Sequence, residues 1–568
     1  MDRHKNFVLN YTLVLLCLFI LSCNNSTHQT ETKMVANPEK MDEQSSESIQ
    51  QVLNFAVEQK GKIDDSTRLQ LTAWANRFYK ENNFNNVWSH KETWQPLADS
   101  LLQFIQQAEL FGLFPNDYHT KHLLQLKKKI DTDSVQRMNA VLWAKADVLL
   151  TDACLHLFKD IKYGRIFNDS AMVQTDTGAI ANFVTASITN LLQQKQFTAA
   201  INAAEPTHRG YTNLKAGIKK FVDSMDRRVY TYIPYPYKTG DEKDSLLFIK
   251  TLQKRLSESK YIDFTNKLPD SLQLNTAIKK YQKIKAVKQD GNVSASFIKM
   301  INTNDVERFK RIAVTLDRYK MLPAAMPQKF VWVNLPGYYL QLWDNDTLAL
   351  ESKIICGKPA TRTPLLTSMI SNMVIYPTWT VPTSIIAKQY LPKLKTNPYY
   401  LSRLGLKLVN AKGEDIDAGS VKWEKYTKGI PYKVMQNSGD DNALGVMKFN
   451  FDNPYAVYLH DTNQRYLFKN SSRALSHGCV RVQEWEKLAY YLARNDSLNL
   501  KAGDTLRYNT DSIRNWLAEK KYRRINVKNE LPLFITYFSC EGKDGRIKFY
   551  DDIYCEDKEM REKYFSTK

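Results

Sequence analysis

No two of the seven cysteines in this chain of 568 residues are spaced as C-x-x-C. A zinc ribbon is therefore excluded on spacing grounds. Glycine (20) and proline (19) are sparse, which argues against a largely disordered chain. There is no Gly-rich phosphate loop, no RNP-like aromatic motif and no C2H2 spacing. Acids are short relative to bases, 60 against 80, so the net charge is +20. That field attracts polyanions, and nucleic acid is favoured by charge alone, without a reading motif. We expect no nucleic-acid partner and no cofactor. A His-Cys metal site would need further ligands at fitting spacing, and none is near.

Hydrophobics make up 43% of the residues and aromatics 12%, enough for real cores. The length suggests roughly three to four units. Residues 1–22 carry Arg3 and Lys5 and then an apolar run from Phe7 to Leu21. A membrane span needs about 20 apolar residues, so this run reads instead as a secretory signal. Ile20-Leu21-Ser22-Cys23 resembles a bacterial lipobox. The resemblance implies that Cys23 is the lipidated first residue of a mature lipoprotein, held at a membrane in the cell envelope or periplasm. Residues 23–55 are polar and read as a flexible tether.

Residues 56–235 are dominated by helical periodicity, as in "PLADSLLQFIQQAELFGLF" and "AVLWAKADVLLTDACLHLFKDIKYGRI". Cys154 lies in the second run and reads as a buried structural cysteine. Residues 240–305 carry three short helical patterns around Asp290-Gly291. Leu252-Gln253-x-Arg255-Leu256, Ala277-Ile278-x-x-Tyr281-Gln282 and Asp290-Gly291-x-Val293 resemble a small three-helix peptidoglycan-binding module. From residue 327 to 505 the pattern alternates, which predicts a mainly β domain. Cys356 ends one of its predicted strands and reads as core. Residues 386–440 interrupt the domain with helical spacing and polar turns, and read as an inserted lid. Residues 506–568 are expected to pack on that domain as a C-terminal extension with a hairpin at Gly542-Lys543-Asp544-Gly545. Cys540 and Cys555 flank it, at a spacing that leaves both a disulfide and two free thiols open.

The chemistry concentrates in "RALSHGCVRV", residues 473–482. A free thiol is mostly protonated at neutral pH, with a pKa of about 8.5, so a catalytic Cys479 needs a basic partner. His477 is only two residues away, and local geometry constrains its ring. His460 closes the alternating run Tyr455-Ala456-Val457-Tyr458-Leu459-His460, on the face of Tyr458. A loop back from that strand would bring the thiol to the imidazole. The amides of Gly478 and Cys479 would then be placed for an oxyanion.

His460, fifteen intervening residues and Ser476-His477-Gly478-Cys479 resemble the YkuD-type L,D-transpeptidase signature. Arg481, where many members carry Asn, resembles the larger YcbB-type subfamily. So do "YPTWTVPTSI" (376–385), "NALGVMKFNF" (442–451), "YLHDT" (458–462) and "IKFYDDIY" (547–554). The resemblance implies an α+β multidomain protein. Its parts are a helical scaffold, the three-helix module, and a mainly β catalytic domain with a lid. It implies 3→3 cross-linking of peptidoglycan stem peptides. Cys479 would take the acyl group of a tetrapeptide donor and release D-alanine, and a diaminopimelate amine would resolve the thioester. His460 would be the base, with Asp461 orienting it. His477 and Gly478 would shape the oxyanion hole. Arg481 would hold a stem carboxylate. Tyr458, Trp379 and Ser476 would line the substrate pocket. Two other functions stay open at this point: a carboxypeptidase that uses water as acceptor, and a non-catalytic murein-binding lipoprotein.

Overall fold

The alternation that begins near residue 329 becomes a β-barrel-like sheet, and the helical periodicity before it becomes helices shared between two units. The computed structural model describes residues 32–166, 176–234, 242–285, 288–500, 503, 505, 506 and 508–565. The signal and lipidation readings for residues 1–22 and Cys23 lie outside the described residues. The protein is α+β, with a helical N-terminal region and a mainly β C-terminal catalytic region. It divides into two units. One runs to Tyr163 and adds Asp176–Glu205; the other holds Gly164–Thr175 and Pro206–Lys568.

The first unit is helical. Its longest helix, Ala140–Tyr163, is buried nearly all round and contains Cys154, which is fully buried. It also buries Asp147 and Asp152, and each carboxylate is satisfied, as buried charge requires. Asp147 accepts from the Tyr79 hydroxyl at 2.6 Å and the Trp88 amide at 2.9 Å. Asp152 accepts from the amides of Gln70 and Leu71, just before the helix Thr72–Glu81.

The tether reading of residues 23–55 is corrected here. Met41–Glu58 is a helix, and its Met41, Ile49, Leu53 and Ala56 are fully buried. These apolar residues lie eight, four and three apart, on one narrow stripe of the helix. The helical scaffold also ends sooner than residue 235, because the first unit stops at Glu205.

In the second unit, helices Glu242–Glu258, Ser271–Ile284 and Ala295–Asn302 share a core of Leu252, Leu256, Ala277, Ile278, Tyr281 and Phe297. Gln282 clamps the turn between the last two. Its side chain donates to Asp290 at 2.8 Å and accepts from the Gly291 amide at 2.9 Å.

Among the described residues, nine strands form the catalytic sheet. In chain order they are β1 (Lys329–Asn334), β2 (Tyr339–Asp344), β3 (Thr347–Gly357), β4 (Leu366–Ile375), β5 (Met447–Phe451), β6 (Leu459–His460), β7 (Ala474–Ser476), β8 (Val480–Val482) and β9 (Arg523–Thr536). The spatial order is β7-β3-β8-β6-β5-β4-β9-β1-β2, and β2 also pairs with β3, which closes the sheet on itself. Cys356 is buried at the end of β3, as its position in the pattern suggested.

β9 corrects the reading of residues 506–568 as an extension. It lies between β4 and β1, antiparallel to one and parallel to the other, and so completes the sheet. The hairpin Cys540–Lys543/Arg546–Phe549 follows it and packs on the helix Arg209–Ser224. Gly542 allows that approach: a Cβ there would lie 1.9 Å from the Asn213 carbonyl oxygen. Cys540 and Cys555 are both free. Cys540 is buried, with its thiol 3.0 Å from the Thr315 hydroxyl, and Cys555 is exposed.

The lid begins earlier than residue 386. Trp379–Thr380, Lys433–Gln436, Lys407–Val409 and Asp415–Ile416 form its own small sheet, in that order. Its core holds Val381, Ile385, Leu391, Leu394, Leu408, Trp423 and Val434.

Candidate active site

β6 and β8 run parallel, with Leu459 opposite Val480 and His460 opposite Arg481. Facing residues in a parallel pair point to the same side, and the side alternates along each strand. Leu459, Val480 and Val482 therefore enter the core, while Tyr458, His460, Cys479 and Arg481 share the opposite face. Eighteen residues separate His460 from Cys479 along the chain, and the pairing brings their two strands side by side.

The Cys479 turn is held from behind. Ser476 Oγ donates to the Cys479 carbonyl at 2.6 Å and accepts from the Gly478 amide at 3.1 Å. Thr363 Oγ1 donates to the Gly478 carbonyl at 2.7 Å and accepts from the Gly357 amide. Gly478 stands at φ +123°, a region that L side chains rarely adopt. Ser476, expected in the substrate pocket, is 4% exposed and its hydroxyl braces the turn. The Gly478 amide, expected to serve an oxyanion, is engaged by that serine.

The thiol meets Tyr458. Tyr458 and Trp379 lie on this side of the site, and Tyr458 is set beside the cysteine by the Val480 amide, which donates to the Tyr458 carbonyl at 3.1 Å. Burial pushes the Cys479 pKa up; contacts with Tyr458 and the charges of Lys448 and Arg481 oppose that rise. His460 is 4% exposed, and its ring packs edge-on to Tyr458 with centroids 5.6 Å apart. Burial, helped by Arg481, drives its pKa down to about 3. Its Nδ1 is buried without a hydrogen-bond partner among the described residues. At rest and neutral pH both groups are therefore uncharged.

His477 turns away from the thiol: its ring is hydrogen-bonded to Gln389 of the lid. Arg481 contacts Gln464 at 3.2 Å, and its buried Nε has no partner among the described residues. The Asp461 carboxylate is taken by Arg465 at 2.7 Å and by the Val446 amide at 3.1 Å. Sequence reasoning missed Lys448, Gln389 and Thr363. Lys448 had a signal: in "GVMKFNF" the buried Met447, Phe449 and Phe451 alternate with it, which turns it to the reacting face.

Residues 328–500 match the family model described as the L,D-transpeptidase catalytic domain. Over these residues the chain is similar to L,D-transpeptidase catalytic domains. Residues 73–217 match a model described as a scaffold domain. A Haemophilus influenzae protein with the provisional name L,D-transpeptidase is 35% identical over 252 residues, 44% of this chain. The chain spans about half (49%) of that relative's length. Two solved structures are similar to part of this chain. One is the catalytic domain of an Enterococcus faecium L,D-transpeptidase acylated by ertapenem, at 14% identity and TM-score 0.16, covering 37% of this chain and 99% of that one. The other is a Cys→Ser mutant of an E. faecium L,D-transpeptidase, at 12% identity and TM-score 0.17, covering 49% and 88%. At such TM-scores neither adds to what the family model and the relative establish. The L,D-transpeptidase match stops at residue 500, and β9 lies beyond it.

Proposed function

We propose that this protein is a peptidoglycan L,D-transpeptidase acting as a cysteine acyltransferase. The observation that carries the reading is the face shared by Cys479, Tyr458, His460 and Arg481 within the matched domain. The Cys479 sulfur attacks the carbonyl of the third residue of a stem tetrapeptide. Its proton passes to His460 and then to the departing D-alanine amine, and a thioester forms. The side-chain amine of a second stem's diaminopimelate then attacks the thioester. It loses a proton to His460, leaves a 3→3 amide and restores the thiol. The Cys479 amide, without a partner among the described residues, is the donor for the oxyanion. Arg481, with no carboxylate partner among the described residues, holds a stem carboxylate. The lid, joined to the cysteine turn through Gln389 and His477, keeps water from the thioester. Lipidation of Cys23 would hold the enzyme at an envelope membrane.

The test incubates the protein with a disaccharide-tetrapeptide and reads the products by mass spectrometry. Cross-linked dimers with loss of D-alanine are expected. Tripeptide alone would make the protein a carboxypeptidase instead. Cys479→Ala should abolish both products, and full activity in that variant would sink the mechanism. A carbapenem should add its mass at Cys479, and an adduct at another cysteine would count against the assignment. For the anchor, labelled palmitate should enter the protein in cells and be absent from Cys23→Ser.

A further inference from the structure

Positive charge gathers around the thiol without a described carboxylate to answer it. Lys448 lies on β5, directly opposite His460 in antiparallel register. Its Nζ stands 4.0 Å from the centre of the Tyr458 ring, and the Tyr458 carbonyl accepts from the Val480 amide at 3.1 Å, which sets that residue beside Cys479. Burial lowers the Lys448 pKa and charge on Cys479 raises it, while the same ammonium lowers the pKa of Cys479. Lysine and thiol are thus electrostatically linked in both directions.

An ammonium over an aromatic face is attracted by the ring quadrupole, which fixes its place. A fixed cation beside a sulfur favours thiolate over thiol. We propose that Lys448 is a positioning residue for Cys479: its ammonium, seated on the Tyr458 ring, stabilises negative charge on the sulfur and holds that ring in place. Lys448 exchanges no proton in this scheme; the thiol proton still goes to His460. The inference rests on the reading of Cys479 as the nucleophile.

Other groups face the same thiol. Tyr458 directly precedes β6, His460 comes from β6 and Arg481 from β8, while the His477 ring is taken by Gln389. Arg524, on β9, repels Lys448 from behind. Arg481 is tied to Gln464 and suits the substrate. Lys448 alone of these cations sits on the Tyr458 ring.

The test follows alkylation of the full chain by iodoacetamide from pH 6 to 10, with each cysteine quantified by peptide mass spectrometry. Exposed Cys555 is the internal reference, and labelling of buried Cys154 and Cys540 reports unfolding. Lys448→Met and Lys448→Gln should move the Cys479 midpoint up by about one pH unit, about tenfold slower labelling at pH 7. Lys448→Arg should restore most of that rate. A Cys479 profile unchanged in a folded neutral variant overturns the proposal. So does a loss that arginine leaves unrepaired, because packing would then explain it. Wild-type protein gives a second readout if both neutral variants unfold. By reciprocity the Lys448 amine should titrate at lower pH once Cys479 is alkylated, and an unmoved titration overturns the proposal too. Failure of the transpeptidase reading would appear elsewhere, as missing peptide products with the Cys479 labelling profile intact.

Discussion

Gly478 shows how one backbone angle serves the nucleophile. A Cβ there would meet only the Arg362 carbonyl oxygen at 3.6 Å and Val457 Cγ1 at 3.7 Å, which is ordinary contact. The cost of Gly478→Ala therefore comes from φ +123°, and strain of this kind is worth about 1–3 kcal/mol. Denaturant unfolding should show a loss of that size, and carbapenem acylation of Cys479 should slow more than stability falls, because the Cys479 amide turns with the loop. Unchanged acylation would mean the turn tolerates another geometry. His460 yields a second expectation at this scale. Its pKa near 3 keeps the imidazole neutral throughout the neutral range, so acylation should show no acid limb near pH 6.5. The rate should instead climb with pH as the raised thiol pKa is approached. A limb centred at 6.5 would show that His460 titrates as an exposed histidine does.

Single elements carry separable parts of the site, and the lid is the clearest. Trp423 is 1% exposed in the lid core, and its indole donates to the Ala418 carbonyl at 2.8 Å. Replacing a buried tryptophan with alanine costs about 3–5 kcal/mol. Trp423→Ala should therefore open the lid locally, with faster hydrogen exchange over residues 381–434. Protection of β5, β6 and β8 should stay, because their core is a different set of side chains. Hydrolysed tripeptide should rise relative to cross-linked dimer. Sequence patterns disclosed these elements unevenly. Cys479 and His460 were readable because the motif fixes both, and the alternation placed Tyr458 beside the histidine. β9 was hidden because "LPLFIT" is a continuous apolar run, which says buried strand but not which neighbours it joins. The helix Met41–Glu58 was hidden because its stripe is narrow and even Ser45 and Ser48 are buried. The bracing by Ser476 was not legible, because a serine beside a nucleophile looks the same whether it braces the turn or meets substrate. Lys448 had the right parity, but only strand pairing sets it opposite His460.

At the scale of the whole molecule, acid should act on the two units with opposite sign. In the first unit, burial raises the Asp147 pKa to about 6, against the hydrogen bonds from Tyr79, Trp88 and Val87. A carboxyl whose pKa is raised on folding stabilises the fold as pH falls through that value, because the folded state takes up the proton first. In the second unit, burial lowers His460 to about 3 and His208 to about 4. A histidine whose pKa is depressed on folding does the reverse: its contribution is whole above about 6.5 and drains away as pH falls toward the folded value. Between pH 6.5 and 5 each such histidine withdraws about 2 kcal/mol, while Asp147 adds about 1 kcal/mol by pH 5. Hydrogen exchange at pH 7 and pH 5, corrected for intrinsic rates, reads the units separately. Protection should fall in β6 and in the helix Arg209–Ser224, which His208 caps through the Gly210 amide. It should hold or rise in Ala140–Tyr163. Loss of protection in both units alike would mean that global charge repulsion, at a net +20 that grows in acid, outweighs these buried groups. His460→Asn then separates the contributions: it removes one titrating group from the second unit, so the pH 5 loss in β6 should shrink by about 2 kcal/mol while Ala140–Tyr163 keeps its response.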